Sequence, residues 1–226
     1  MGAMRTIAVL FCSFGMVFLS GAADPAAAPR TIPHNLVSVL VVQPALLQEI
    51  RYATPYNFTG KQLYPFPAAF IHKDLAGPLR KVQQELSRQG MGLKIYDGYR
   101  PLSVQQRMWN LIRDERYVSD PSKNRGRHTR GTAVDVTLVD RLGDELRMPT
   151  VFDDFTEKAH RSSTTWTPEQ RANSRRLQEV MTKNGFIPYP YEWWHFDYRN
   201  WERYPPLDIS FSDLAKGVKT TVNPSE

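Results

Sequence analysis

Thr132-Ala-Val-Asp-Val-Thr-Leu-Val139 is the stretch whose reading decides the fold. It is β-branched and alternates in polarity, so a period of two predicts a strand. His128, Thr129, Arg130 and Gly131 stand just ahead of it. His128 and Asp135 are seven apart, and an odd separation puts two residues on opposite faces of a regular strand. They converge only if His128 lies on the loop before the strand and Asp135 within it. Gly131 supplies the backbone freedom for that bend.

Outward from this strand, Leu93–Asp97 reads as a second short strand, with Gly98-Tyr-Arg-Pro101 turning out of it. Phe186–Tyr189 and Trp193–Tyr198 read as two more. Lys73–Gln89 has helical spacing at Leu75, Leu79, Val82 and Leu86 and stops at Gly90. Ser103–Asp114 predicts a second helix with Val104, Met108 and Leu111 on one face. Thr167-Pro168 opens a third, with Gln170 completing a capping box and Asn184-Gly185 ending it after Lys183. Pro44–Glu49 predicts one more short helix, and residues 51–67, 117–127 and 140–144 read as loops and turns. The expected fold is α+β: one domain, a small, mostly antiparallel sheet with helices packed against it around a central cleft.

The termini read differently. Arg5 is followed by an uncharged run to Ala23 that is strongly apolar from Ile7 to Leu19 and ends in Ser20-Gly-Ala-Ala23. That is the pattern of a secretory signal peptide, and its apolar run is shorter than a spanning helix needs. The expected division is a signal over 1–23, a leader over 24–35, the main folded domain over 36–213 and a tail over 214–226. No stable membrane span remains after signal cleavage, and the expected location is exported: periplasmic or wall-associated, in a bacterium. The one cysteine, Cys12, lies inside the signal, so the mature chain has neither disulfides nor thiolate catalysis. A mature chain without disulfides suits a bacterial periplasm or wall better than a small secreted eukaryotic domain.

Composition is that of an ordinary folded protein, 41% hydrophobic and 23% charged. Net charge is +6, or +5 without Arg5, and the basic residues are scattered. No nucleic-acid module is present in the sequence, and a solvated basic surface is the favoured reading. Asn57-Phe-Thr59 fits the glycosylation triplet, a pattern that arises often by chance.

The chemistry lies in two separated clusters, His128…Asp135 and Glu192-Trp-Trp-His195. Two histidines and an aspartate can supply three ligands to one zinc ion, leaving a fourth position for water. Glu192 can serve beside them as a general base. Glu192 and His195 share the parity problem of the first pair, and a bulge or turn at Glu192 would aim both into one cleft. Taken singly, each residue has a plainer role: core packing for at least one of Trp193 and Trp194, a satisfied core histidine for His195, a structural ion pair for Asp97 and Arg100. Their co-occurrence is what points to a metal-dependent hydrolase.

The chain resembles the zinc D-alanyl-D-alanine dipeptidases, the family of the vancomycin-resistance dipeptidase. The resemblance rests on Gly126-Arg-His128-Thr-Arg-Gly131-Thr-Ala133-Val-Asp135 and Glu192-Trp-Trp194-His195. It extends to Tyr52–Gly60, Tyr96–Pro101 and Met148–Asp153, most of the mature chain. It implies one Zn²⁺ per chain on His128, Asp135 and His195, and Glu192 as general base. It implies that Arg100 binds the oxygen of the tetrahedral intermediate and that Asp97 orients Arg100 or lines the cleft. Tyr52 and Asp153 would sit near the substrate's ends, with Asp153 a candidate for its free ammonium. Gly126 departs from the family pattern, which has a serine that helps hold the dipeptide. Arg127, Thr129 or water would have to replace that contact.

The implied function is an exported zinc dipeptidase that hydrolyses D-Ala-D-Ala or related D-amino-acid dipeptides in cell-wall peptide turnover. Its only implied partner is the small peptide substrate. Two alternatives remain open: a zinc D,D- or L,D-carboxypeptidase trimming peptidoglycan stems, and a catalytically lapsed, zinc-stabilised wall-binding module.

Overall fold

The computed structural model describes residues 35–123 and 126–218. The expected signal peptide, all but the last residue of the leader and residues 219–226 lie outside these. The strands are β1 (Leu36–Ser38), β2 (Leu47–Gln48), β3 (Phe70–His72), β4 (Gly92–Asp97), β5 (Ala133–Val139), β6 (Phe186–Pro188) and β7 (His195–Tyr198). The helices are α1 (Val39–Val42), α2 (Ala76–Arg88), α3 (Leu102–Leu111), α4 (Pro168–Lys183) and α5 (Phe211–Val218).

One five-stranded sheet runs in the order β2-β4-β5-β7-β6. Only β2 runs parallel to its neighbour; the other pairings are antiparallel. The sheet is built around the strand that the alternation of residues 132–139 predicts, and every residue of β5 is buried. Helices α2 and α4 pack on the sheet and on each other, burying Leu79, Val82, Leu86, Leu177, Val180 and Met181. The α+β fold is therefore as expected. Helix α4 begins as its sequence predicts, with Thr167 and Gln170 closing a reciprocal capping box.

Register sets up the site. Asp97 on β4 pairs with Asp135 on β5, which pairs with His195 on β7. Three polar residues thus stand in a row across the central strands. A register shift between Ile95 and Asp97 re-aims the end of β4, as bulges do. The two-stranded sheet of β1 and β3 braces the adjoining turns: the His72 N–H donates to Gly131 O at 2.8 Å, and the Tyr99 N–H to Phe70 O at 2.6 Å. Gly131 has φ +66°, and a Cβ there would come within 2.7 Å of Leu36 and 2.9 Å of the His72 nitrogen. Both its conformation and the close approach demand glycine.

Three local expectations are corrected. Pro44–Glu49 is not a helix: α1 precedes it, and Leu47 and Gln48 instead pair with Lys94 and Ile95. Edge pairing and a Gln48 Oε1 that accepts the Ala69 N–H at 2.6 Å override the local propensity. Leu111 does not share the buried face of Val104 and Met108; it is 59% exposed on the last turn of α3. The last strand starts at His195, with Trp193 and Trp194 in the turn before it. Beyond the domain end expected at residue 213, α5 continues to Val218 with Leu214 fully buried. Phe211 stacks on Tyr64 with ring centres 4.3 Å apart. Its start was readable as Ser210-Phe-Ser-Asp213, whose Ser210 Oγ accepts the Asp213 N–H at 3.1 Å.

Candidate active site

His128 sits in a 3-10 turn, Arg130 ends it, and the left-handed Gly131 swings the chain into β5. That bend lets His128 and Asp135 converge despite their odd spacing. At the far side, the His195 N–H returns to Glu192 O at 3.4 Å, and this turn brings Glu192 and His195 into the same cleft. His128, Asp135 and His195 are buried, and each offers a ligand atom within 4.8 Å of the others.

The outer faces of both imidazoles are fixed. His128 Nδ1 lies 2.7 Å from the Gly98 carbonyl, and His195 Nε2 lies 2.9 Å from Asp197 Oδ1. Both partners are acceptors, so these outer nitrogens carry the protons. The inner nitrogens, His128 Nε2 and His195 Nδ1, then present lone pairs to each other at 3.1 Å. Asp135 adds an oxygen 3.0 Å from His195 Nδ1 and another 3.4 Å from His128 Nε2. Three electron-pair donors crowded in a buried space demand a cation, and two imidazoles with one carboxylate suit zinc.

The same acidic surroundings draw positive charge, as a proton on His195 or as a metal ion in its place. Burial works against an ionised Asp135, yet the two histidines hold its carboxyl far below the usual range. Burial also opposes a charged His195, but Asp197 and Asp135 push it up to about 10. For Glu192, burial is the largest cause, and with Asp135 and Asp153 it lifts the carboxyl well above its ordinary value against the pull of His195 and Arg100. Glu192 Oε2 stands 3.8 Å from His195 Nδ1, beside the ligand cluster.

Arg100 is buried and locked. Its Nε and Nη2 donate to Asp97 Oδ2 at 3.1 and 2.8 Å, and Nη1 donates to Gln105 Oε1 at 3.0 Å. Three of the five N–H groups of a guanidinium are thereby used, leaving two. Its backbone N–H donates to His128 O at 3.0 Å, tying it to the ligand turn. Asp97 is consumed by this work: its Oδ1 accepts from Tyr64 OH and the Gly98 N–H, both at 2.9 Å. Of the two roles the resemblance gives Asp97, the structure supports orienting Arg100. The cleft is instead lined by Tyr52, Arg100, His128, Asp135, Asp153, Glu192 and His195.

Tyr52 and Asp153 meet at one end of the cleft. Tyr52 OH donates to Asp153 Oδ1 at 3.0 Å, while the buried Oδ2 has no hydrogen-bond partner among the described residues. Asp153 has φ +63°, a strained conformation for this residue. Both tryptophans hold its segment: Trp193 Nε1 donates to Thr150 Oγ1 at 2.9 Å, and Trp194 packs edge-on against Phe152. Core packing and site construction are therefore one task here. Burial, reinforced by the charge of Asp135, pushes the Asp153 carboxyl up to about 8. On the Tyr52 side, Asn57 spends its side chain on its own loop, donating to Thr54 O and Lys61 O and accepting from Thr59.

Gly126 has φ +77°, and a Cβ there would lie 3.4 Å from Ser119 Cβ and 3.6 Å from its Oγ. The Thr129 hydroxyl donates back to Gly126 O at 3.0 Å and is fully buried, so it is spent. Arg127 and Ser119 line the cleft at this point instead.

Three supporting residues escaped the sequence reading. Asp197 fixes the His195 tautomer and lies 3.3 Å from Arg127 Nε. Gln105 and Tyr64 complete the shells of Arg100 and Asp97. His195-Phe-Asp197 carried a readable signal, because residues two apart on a strand share a face. Gln105 and Tyr64 carried none.

The D-ala-D-ala dipeptidase family (Peptidase_M15) matches residues 33–215. A D-alanyl-D-alanine dipeptidase of Escherichia coli K12 is 37% identical over 178 residues, 79% of this chain and 92% of that protein. A D-alanyl-D-alanine dipeptidase of Enterococcus faecium is 32% identical over 184 residues, covering 72% of this chain and 90% of its own length. Among solved structures, a zinc complex of a vancomycin resistance D,D-pentapeptidase aligns with TM-score 0.39 and 17% identity, over 59% of this chain and 75% of that one.

Proposed function

The chain belongs to the D-ala-D-ala dipeptidase family of metallopeptidases, and from that premise we propose that it is a single-zinc dipeptidase cleaving D-Ala-D-Ala or a related D-amino-acid dipeptide. The observation that carries this reading is the pairing of two unmet demands in one cleft. The His128–Asp135–His195 cluster calls for a metal ion, and the unpartnered oxygen of Asp153 calls for a second cation. A dipeptide's ammonium answers the second demand, and its peptide bond then falls to the groups around the first.

Zinc held by His128 Nε2, Asp135 and His195 Nδ1 would supply Lewis-acid polarisation to a water and to the scissile carbonyl. Glu192, made a stronger base by burial and by its acidic neighbours, accepts the water's proton and returns it to the leaving amine. Arg100, held rigid by Asp97 and Gln105, aims its two remaining N–H groups at the oxygen that gains charge. Asp153 anchors the ammonium while Tyr52 holds that carboxylate in place. Arg127 and Ser119 stand where the family's serine hydroxyl is absent, and they are the candidates for the substrate's carboxylate.

The export pattern of residues 1–23 supports action outside the cytoplasm, on dipeptides released from the wall. The test is incubation of the mature, zinc-supplemented protein with the four Ala-Ala stereoisomers and a pentapeptide stem, with free alanine measured. D-Ala-D-Ala should be cleaved and the stem spared. A cleaved stem beside inert dipeptides would refute the dipeptidase reading in favour of a carboxypeptidase.

A further inference from the structure

Arg161 is a partly buried cation that the reaction above does not use. It follows the 3-10 turn Glu157–Ala159, and its contacts converge on one segment. Its backbone N–H donates to Pro190 O at 2.9 Å. Its Nε donates to Tyr189 O at 2.7 Å, and its Nη2 donates to Trp193 O at 2.8 Å and His195 O at 3.2 Å. Nη1 reaches Gln178 Oε1 on α4 at 3.3 Å, and the guanidinium lies 4.5 Å over the Phe196 ring. The bonded carbonyls therefore flank Glu192 on both sides, two before it and two after it. This is the turn that sets Glu192 against the ligand cluster.

The placement is costly. Burial pulls the guanidinium down to about 9, with only the charge of Glu192 opposing. A cation put there at that cost, and bonded to carbonyls, serves geometry more than ion pairing. The guanidinium gives donors to Tyr189 O and Trp193 O and adds a second to His195 O, which also accepts the Tyr189 N–H at 3.1 Å. A lysine cannot replace it, because an ammonium is a point donor without the planar fork that spans three carbonyls.

We infer that Arg161 is a positioning residue: its guanidinium pins the 189–195 segment and thereby fixes Glu192 relative to the metal cluster. The inference rests on the reading of Glu192 as general base. Misplacing a catalytic group by about 1 Å costs on the order of 100-fold in rate.

The test compares full-length wild type, Arg161→Lys and Arg161→Ala. Bound zinc, kcat and KM are measured on whichever peptide the wild type cleaves, and hydrogen exchange is followed over residues 189–195. An inert D-Ala-D-Ala then counts against the substrate assignment and not against Arg161. In both variants kcat should fall about 30- to 100-fold with KM within about 3-fold and zinc near one per chain. Amide protection should drop in the 189–195 segment alone. Added methylguanidinium should restore part of the Arg161→Ala rate, and methylammonium should not. A kcat for Arg161→Lys within about 3-fold of wild type, or unchanged protection of the segment, overturns the inference. Should the alanine variant fail to fold, the lysine variant decides alone.

Discussion

Replacing Asp153 by asparagine should make the zinc-stripped protein more stable and the enzyme worse. The carboxyl is buried beside the charge of Asp135, which together raise it from 3.8 to about 8. An acid whose folded value lies above its unfolded value is most favourable to folding when protonated. Its contribution is present at low pH and is lost as pH climbs from about 4 to about 8. A gap of about 4 units at 1.36 kcal/mol each sets a ceiling of about 6 kcal/mol at pH 9, of which less than a third is felt at pH 5. Asparagine keeps the shape and carries no such penalty. Urea unfolding in a chelator should therefore show Asp153→Asn gaining on wild type by about 2–4 kcal/mol between pH 5 and pH 9. The same variant loses the anionic partner of the substrate's ammonium. A charge-assisted hydrogen bond contributes about 1.5–3 kcal/mol, so KM for D-Ala-D-Ala should rise about 10- to 100-fold. A stability difference that is flat with pH, or a KM close to wild type, would refute the placement of a strained, cation-seeking carboxylate at residue 153.

Two further outcomes follow from the shells around the cluster. Arg100→Ala should cut kcat about 100- to 1000-fold while bound zinc stays unchanged, and equal loss of zinc and activity would contradict its role as oxyanion donor. Asp197→Asn should weaken zinc binding about 10- to 100-fold in chelator competition, because the amide no longer holds the His195 proton on Nε2; an unchanged affinity would remove Asp197 from the site.

The legible parts of this chain were those governed by local rules. The alternation of residues 132–139, the capping box at Thr167 and the Asn184-Gly185 stop each act over a few residues, and each appears as β5 or as the ends of α4. The parity of His128 and Asp135 was also decisive, since it required the bend that Gly131 makes. What escaped depends on distant partners. Leu47 and Gln48 become a strand only because β4 lies alongside. Gln105 matters only because the turn after β4 returns Arg100 to it. Arg161 looks like any surface arginine until β6 and β7 fold their connecting turn around it. Helix α5 escaped for a different reason. The short α5 has a readable cap at Ser210, but its place in the core is set by Phe211 meeting Tyr64, 147 residues earlier in the chain.

The central claim is one zinc ion on His128, Asp135 and His195 with Glu192 as the base, and a metal titration of the wild type beside Glu192→Gln tests it most directly. Chelated protein is titrated with Zn²⁺ while bound metal and D-Ala-D-Ala hydrolysis are read at each point. Wild-type activity should rise in proportion to bound zinc and saturate at one ion per chain. Glu192→Gln should take up zinc along the same curve and stay at least about 100-fold less active. Full activity without zinc, or a Glu192→Gln protein that turns over substrate at a rate near wild type, would contradict the account.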